Sequence, residues 1–143
     1  MNIDSAVLDL LYGKAKESFD NEEIPVAAAI FDSKTNQLIC VLGNNRQSTS
    51  NVLGHAEINC ILEAEKSIND WRLDGFYMVV SLEPCDMCSM VIKESRLDHV
   101  YYLLPGLTNS KYDILGNKSK LLIDDVYTKK FNDLLTSFFD NKR

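Results

Sequence analysis

The sequence lacks any long hydrophobic segment. Its longest unbroken apolar run, from Val26 to Phe31, has six residues, whereas a membrane-spanning helix needs about 20. The first four residues, Met1-Asn2-Ile3-Asp4, contain an acid and none of the bases with which a secretion signal begins. We therefore expect a cytoplasmic protein that has no membrane partner.

Basic residues are also in short supply. The chain has 15 Lys and Arg against 21 Asp and Glu, which gives a formal net charge of −6. This balance argues against a broad, non-specific nucleic-acid binder, whose affinity comes from bases that neutralise phosphates. The charge is uneven, because residues 1–110 sum to −8 and residues 111–143 to +2. A polyanion could dock near the C-terminal end, although a charged tail is more often simply solvated.

What remains is the composition of an ordinary globular protein, with 45% apolar and 25% charged residues. A chain of this length fits one domain, here residues 1–143. Such a domain buries roughly 70% of its unfolded surface and needs no disulfides to stay folded.

Apolar periodicities predict helices that alternate with strands. The segments are a helix from Asp4 or Ser5 to about Asp20, a hairpin over 26–42, a helix from His55 to about Lys66, a strand at Phe76–Leu82, a helix at Cys85–Glu94, a strand at His99–Leu104 and a helix at Lys129–Asn141. Residues 43–54 form an irregular loop, residues 105–120 show no clear pattern, and Leu121–Tyr127 fits a strand or a helix start. This order predicts a layered α/β domain with one sheet covered by helices.

Two of the four cysteines form a motif. Cys40 and Cys60 lie in apolar surroundings and are expected to be buried. Cys85 and Cys88 form Cys-x-x-Cys directly after Pro84, at the start of a predicted helix. Such a pair is either a redox couple, because a helix N-terminus lowers the pKa of a thiol, or half of a metal site.

His55 favours the metal site. It begins His55-Ala56-Glu57 at another predicted helix start, whereas His99, the only other histidine, has no partner pattern and is expected to be a sheet residue. One imidazole and two thiolates would hold a tetrahedral Zn²⁺ and leave the fourth position for water. Glu57 beside that water can act as general acid and base, although a carboxylate there also favours the helix dipole.

His-x-Glu followed by Pro-Cys-x-x-Cys resembles the signature of the zinc-dependent cytidine/adenosine deaminase superfamily, and the chain looks most like the bacterial tRNA adenosine deaminases. The segments that carry the resemblance are Glu23–Val26, Asn45-Arg46, His55–Ile58, Ser81–Cys88, Ser95–Leu97 and Leu134–Phe139. The resemblance implies a three-layer fold with a central mixed sheet of about five strands. It also implies a homodimer, one Zn²⁺ per subunit, no organic cofactor, and hydrolysis of adenosine to inosine at the wobble position of the tRNA anticodon loop.

The same resemblance implies a role for each matching residue. His55, Cys85 and Cys88 match the zinc ligands, and Glu57 matches the residue that shuttles the proton. Asn45 matches an asparagine that holds the target nucleoside, and Val26 and Ala56 are assigned to the same pocket. The candidate RNA contacts are lysines of the basic C-terminal third: Lys111, Lys118, Lys120, Lys129 and Lys130.

The sequence also departs from this family. Ala27 replaces a glycine after Pro25-Val26, Asn51–Gly54 replaces an Asp-Pro-Thr-Ala segment, and Leu103–Leu107 replaces a glycine-rich stretch. Asn59 also occurs in deoxycytidylate-type deaminases. These departures leave open a small-molecule deaminase that acts on cytosine, guanine or a related compound. A zinc-stabilised binding or thiol-redox module without hydrolytic activity is the third alternative.

Overall fold

The computed structural model describes residues 3–106 and 112–141. Its elements are α1 (Ser5–Asp20), β1 (Ala27–Asp32), β2 (Leu38–Gly43), α2 (Ala56–Ile68), β3 (Phe76–Leu82), α3 (Asp86–Ser95), β4 (His99–Leu104), β5 (Ser119–Leu121) and α4 (Asp125–Asn141), with a 3-10 turn at Gly116–Lys118. No helix in the described ranges combines the length and the apolar character that spanning a bilayer requires.

The five strands form one mixed sheet in the order β2-β1-β3-β4-β5. Strand β1 is antiparallel to both of its neighbours, whereas β3, β4 and β5 are parallel. Strands β2 and β3 therefore run in the same direction. The helices that follow them, α2 and α3, consequently begin at the same edge of the sheet.

The side chains of β1 show how the sheet acquires two buried faces. Because neighbouring residues of a strand point to opposite sides, Ala27, Ala29 and Phe31 pack in the cluster that includes α1 and α4. Ala28 and Ile30 pack in the second cluster, with α2 and α3. The result is helix, sheet and helix in three layers, which confirms the predicted fold class.

The structure differs from the sequence prediction mainly after β4. The fifth strand occupies Ser119–Leu121, largely within the stretch that shows no clear pattern. Helix α4 begins at Asp125, four residues earlier than predicted. Leu121–Tyr127 is thus neither a strand nor a helix throughout, because it contains the end of β5, a short connection and the first residues of α4. The other predicted boundaries agree with the structure to within about two residues.

Candidate functional site

His55 and Cys85 occupy equivalent places in the fold. His55 is the N-cap of α2 and Cys85 is the N-cap of α3, and both have an extended backbone. An N-cap is usually Ser, Thr, Asp or Asn, whose side chain accepts a hydrogen bond from the first turn. His55 makes no such bond. Its ring nitrogens are therefore left for another partner.

These two helix starts bring three potential metal ligands together. His55 Nδ1 lies 3.4 Å from Cys88 Sγ and 3.8 Å from Cys85 Sγ, and the three ligand atoms all lie within 4.8 Å of one another. A tetrahedral zinc ion would place a nitrogen and a sulfur ligand about 3.6 Å apart, and two sulfurs about 3.8 Å apart. The spacing and the donor atoms both fit zinc, and three protein ligands leave one position open.

The two thiols differ in their proton affinity. A hydrogen bond with the Cys88 side chain, together with backbone N–H groups and the nearby His55, lowers the pKa of Cys85 to about 5. The same contact, burial and the nearby Glu57 raise the pKa of Cys88 above its ordinary value. A divalent cation between the sulfurs would favour both thiolates, so this pair is suited to binding a metal.

Glu57 is buried beside these ligands. Its side chain is only 5% exposed, and it makes hydrogen bonds to its own backbone N–H and to the Cys88 thiol. Burial, with a contribution from the nearby Cys85, raises the pKa of Glu57 to about 7. The carboxyl group therefore lies beside the candidate metal ligands, and with this pKa it can accept and release a proton near neutral pH.

A cavity of about 970 Å³ opens in front of these residues. Its walls include His55, Glu57 and Cys85, and also Val26 and Ala56, which were assigned to the pocket from the sequence. This volume lies at the upper end of the range for small-molecule sites. Among the described residues, the charged lining side chains are mostly acidic, with Glu57, Glu83, Asp86 and Asp113 against Arg46.

The structure does not bring Asn45 into this cavity. Asn44 and Arg46, on either side of it, are lining residues, whereas Asn45 lines a separate depression of about 300 Å³ with Asn59. Asn44 Oδ1 accepts a hydrogen bond of 3.2 Å from the backbone N–H of Arg46. Two consecutive asparagines in an irregular loop carry no signal that shows which of them lines a cavity, so the sequence did not single out Asn44.

The described lysines among those assigned to RNA contacts do not line the cavity, although Lys118 and Lys120 flank the lining residue Ser119. Lys118 donates to the carbonyl of Leu97, and Lys129 forms an ion pair with Asp133. Lys130 lies over the rings of Tyr12 and Tyr127, and Lys120 is on β5. None of these four lines the cavity, and Lys111 lies outside the described residues.

Comparisons with known proteins agree with the chemistry of this site. A tRNA-specific adenosine deaminase from Rickettsia felis is 39% identical over 95 residues, which are 66% of this chain and 64% of that protein. A solved structure from work on A-to-I editing by tRNA:A34 deaminases at the wobble position has a TM-score of 0.67 at 29% identity, over 71% of this chain and 76% of that one. A guanine deaminase from Bacillus subtilis has a TM-score of 0.64 at 29% identity, over 73% of this chain and 66% of that one.

The family model for the cytidine and deoxycytidylate deaminase zinc-binding region matches residues 1–104. This range contains His55, Glu57, Cys85 and Cys88, the residues that meet at the cavity. The chain therefore belongs to the cytidine and deoxycytidylate deaminase family.

Proposed function

We propose that this protein is a hydrolytic deaminase that converts adenosine to inosine at the wobble position of a tRNA. The observation that carries the proposal is that His55, Cys85 and Cys88 lie together at a cavity that His55, Cys85 and the buried Glu57 line. The reaction adds water to C6 of adenine and releases the amino group as ammonia.

The proposed roles follow from the position of each side chain. His55, Cys85 and Cys88 would hold the zinc ion, which when bound lowers the pKa of a water molecule and so supplies the nucleophile. Glu57 takes one proton from the attacking water onto its carboxylate and delivers it to a ring nitrogen of the base, and it then carries the second proton of that water, from the oxygen now bonded to C6, to the leaving amine. Val26 and Ala56 exclude solvent from one wall.

Asn44 is the side chain that we propose for contact with the base. It is buried, it lines the cavity, and its Oδ1 is already bonded to the backbone of Arg46. Within the described part of the chain, its Nδ2 has no hydrogen-bond partner. That amide nitrogen can therefore donate to a ring nitrogen or an oxygen of the substrate.

The relatives support a tRNA substrate. The Rickettsia felis protein is a tRNA-specific adenosine deaminase, and the solved structure comes from work on tRNA:A34 deaminases. A base can reach such a cavity only when it is turned out of the stack, as it is in a loop. A cavity of about 970 Å³ has room for a nucleoside and its neighbouring groups.

The acidic lining favours a second candidate, a deaminase of free nucleobases such as guanine. Among the described lining residues, Glu83, Asp86 and Asp113 outnumber the basic Arg46, and such a surface disfavours phosphates near the base. The Bacillus subtilis guanine deaminase has the same fold and the same level of identity as the tRNA enzyme.

A substrate panel with zinc-loaded protein separates the two candidates. It contains an anticodon stem-loop with adenosine at the wobble position, the same RNA with guanosine there, free adenosine, cytidine and guanine. We expect inosine in the first RNA and little ammonia from the free compounds. Rapid ammonia release from a free base, unaffected by added RNA, would establish the second candidate, and no turnover at all would reject both.

The proposal extends to assembly and location. Four large apolar side chains are exposed on the loop before α2, on α2 and on α3: Val52, Leu53, Leu62 and Met90. Covering them with a second copy would form a homodimer close to the cavity.

We propose that the protein acts in the cytoplasm, where reducing conditions keep Cys85 and Cys88 available as ligands. We also propose that residues 1–143 form a single deaminase domain.

A further inference from the structure

Asn59 lies outside the cavity but holds the loop that forms one of its walls. It is on α2, two residues after Glu57, and residues two apart on a helix point about 200° apart. Its side chain lines the smaller depression, next to Asn45 and Gly43. It therefore cannot touch a substrate at Glu57, and any effect it has on the reaction must act through other residues.

The orientation of the Asn59 amide follows from its partners. Asn59 Nδ2 lies 3.0 Å from the carbonyl oxygen of Gly43 and 3.0 Å from Oδ1 of Asn45. A backbone carbonyl can only accept, so Asn59 must turn its nitrogen toward Gly43. The Asn45 amide must then present its oxygen to the same nitrogen, and both side-chain orientations are fixed.

Asn45 also joins the two ends of the loop between β2 and α2. Its backbone N–H donates to the carbonyl of Gly54 at 2.9 Å, and Gly54 directly precedes the candidate ligand His55. A Cβ atom at Gly54 would lie 2.7 Å from Cα of Arg46 and 2.8 Å from Oδ1 of Asn45. This contact is too close for any residue except glycine, so both ends of the loop are packed against each other.

We infer that Asn59 is a positioning residue that holds the Asn45 side chain against α2 and thereby leaves Asn44 to face the substrate cavity. This inference rests on the proposed deaminase function for its effect on turnover. It does not place Asn59 at the metal, because the ligands are held by the starts of α2 and α3. The expected effect is therefore on substrate binding.

Asn59→Ala tests this role, with Ser67→Ala as the matched control. Ser67 is exposed on the same helix and bonds only locally, to the carbonyl of Glu63. Loss of the two hydrogen bonds should raise KM about tenfold while kcat stays within about twofold and the zinc content is unchanged. Asn45→Ala removes only the bond between the two side chains and should raise KM by less, and the double variant should be no worse than Asn59→Ala, because that variant has already lost the shared bond.

Backbone amide exchange provides a readout that does not depend on activity. In Asn59→Ala, the amides of Asn45 and Gly54 should exchange about tenfold faster, while those of the central strands β1 and β3 stay as slow as in the wild type. If wild-type protein turns over no compound of the panel, the proposed function fails and amide exchange still decides the role of Asn59. Unchanged loop exchange, or a fall in kcat or zinc content at unchanged KM, would overturn the inference.

Discussion

Glu57 and Glu63 lie on the same helix but in different surroundings. Glu57 is buried at the candidate metal ligands, whereas Glu63 is exposed. Side chains two apart in the middle of a helix point to opposite sides. Glu57 nevertheless reaches the same cavity as His55, because His55 is an N-cap with an extended backbone. The helix start and the spacing are both visible in the sequence, which is why this part of the candidate site could be predicted.

Glu57→Gln removes the proton-accepting group and keeps the size of the side chain. We expect kcat to fall by about a hundredfold to ten-thousandfold, the usual contribution of a general acid–base group, while one zinc ion per chain remains bound. Metal analysis and turnover of the same sample check both parts. Glu63→Gln, with the same change on an exposed part of α2, should retain activity. A Glu57→Gln protein that deaminates at the wild-type rate would contradict the role of Glu57 in proton transfer.

The side-chain directions of Asn44 and Asn45 could not be predicted from the sequence. The resemblance assigned the substrate contact to Asn45, whereas in the structure Asn44 lines the cavity. The direction of each side chain depends on the backbone path of an irregular loop, and that path is set by distant partners such as Asn59 and Gly54. No local periodicity encodes such contacts.

The side chain of Glu23 also holds the loop between β2 and α2 in place. Glu23, just before β1, is 2% exposed and accepts hydrogen bonds from the backbone N–H groups of Gln47 at 2.8 Å and Ser48 at 2.7 Å. Burial alone would raise the pKa of Glu23, but these hydrogen bonds hold it below its ordinary value of 4.5. The carboxylate therefore stabilises the folded protein above that pH.

Glu23→Gln should destabilise the protein at neutral pH. The amide nitrogen of the new glutamine would face the backbone N–H of Gln47 or of Ser48, so that one of the two hydrogen bonds would be lost. We therefore expect the free energy of unfolding to fall by about 2 kcal/mol at pH 7. Because the folded pKa is lowered, the difference from wild type should shrink as pH falls through 4.5 and below it. Urea unfolding at pH 7 and pH 4 measures this change.

Glu22→Gln is the control for Glu23→Gln, since it removes the same charge from the exposed neighbouring residue. It should change the unfolding free energy by less than about 0.5 kcal/mol at either pH. An equal loss in both variants, or a loss in Glu23→Gln that does not depend on pH, would contradict the role of the Glu23 carboxylate as an anchor.

Elements with a strong apolar pattern could be predicted, and the short ones could not. Strands β1 and β3 are buried on both sides, and α2 repeats its apolar residues every three or four positions. Strand β5 has only three residues, half-buried or exposed, and its place depends on parallel pairing with β4. Such pairing between distant segments leaves no periodic signal in so short a strand.

At the scale of the whole molecule, the basic segment 111–143 borders the acidic cavity only in part, through residues before α4 such as Asp113 and Ser119. Helix α4, which carries Lys129 and Lys130, packs with α1 on one side of the sheet, whereas α2 and α3 with the candidate site cover the other. The lysines of α4 therefore do not mark the substrate cavity. A large substrate would need a surface beyond the cavity, and a second copy of the chain can supply one.

Leu62→Glu tests this assembly, because Leu62 is 59% exposed on α2. A charge within a buried apolar interface should weaken the proposed homodimer by at least about 30-fold, the effect of losing a central contact. Ile123→Glu, at a side chain that is 88% exposed near the start of α4, should leave the dimer intact. Sedimentation velocity over a range of concentrations measures both variants. A monomeric wild type, or a dimer that only Ile123→Glu dissociates, would show that the exposed residues of α2 do not form the interface.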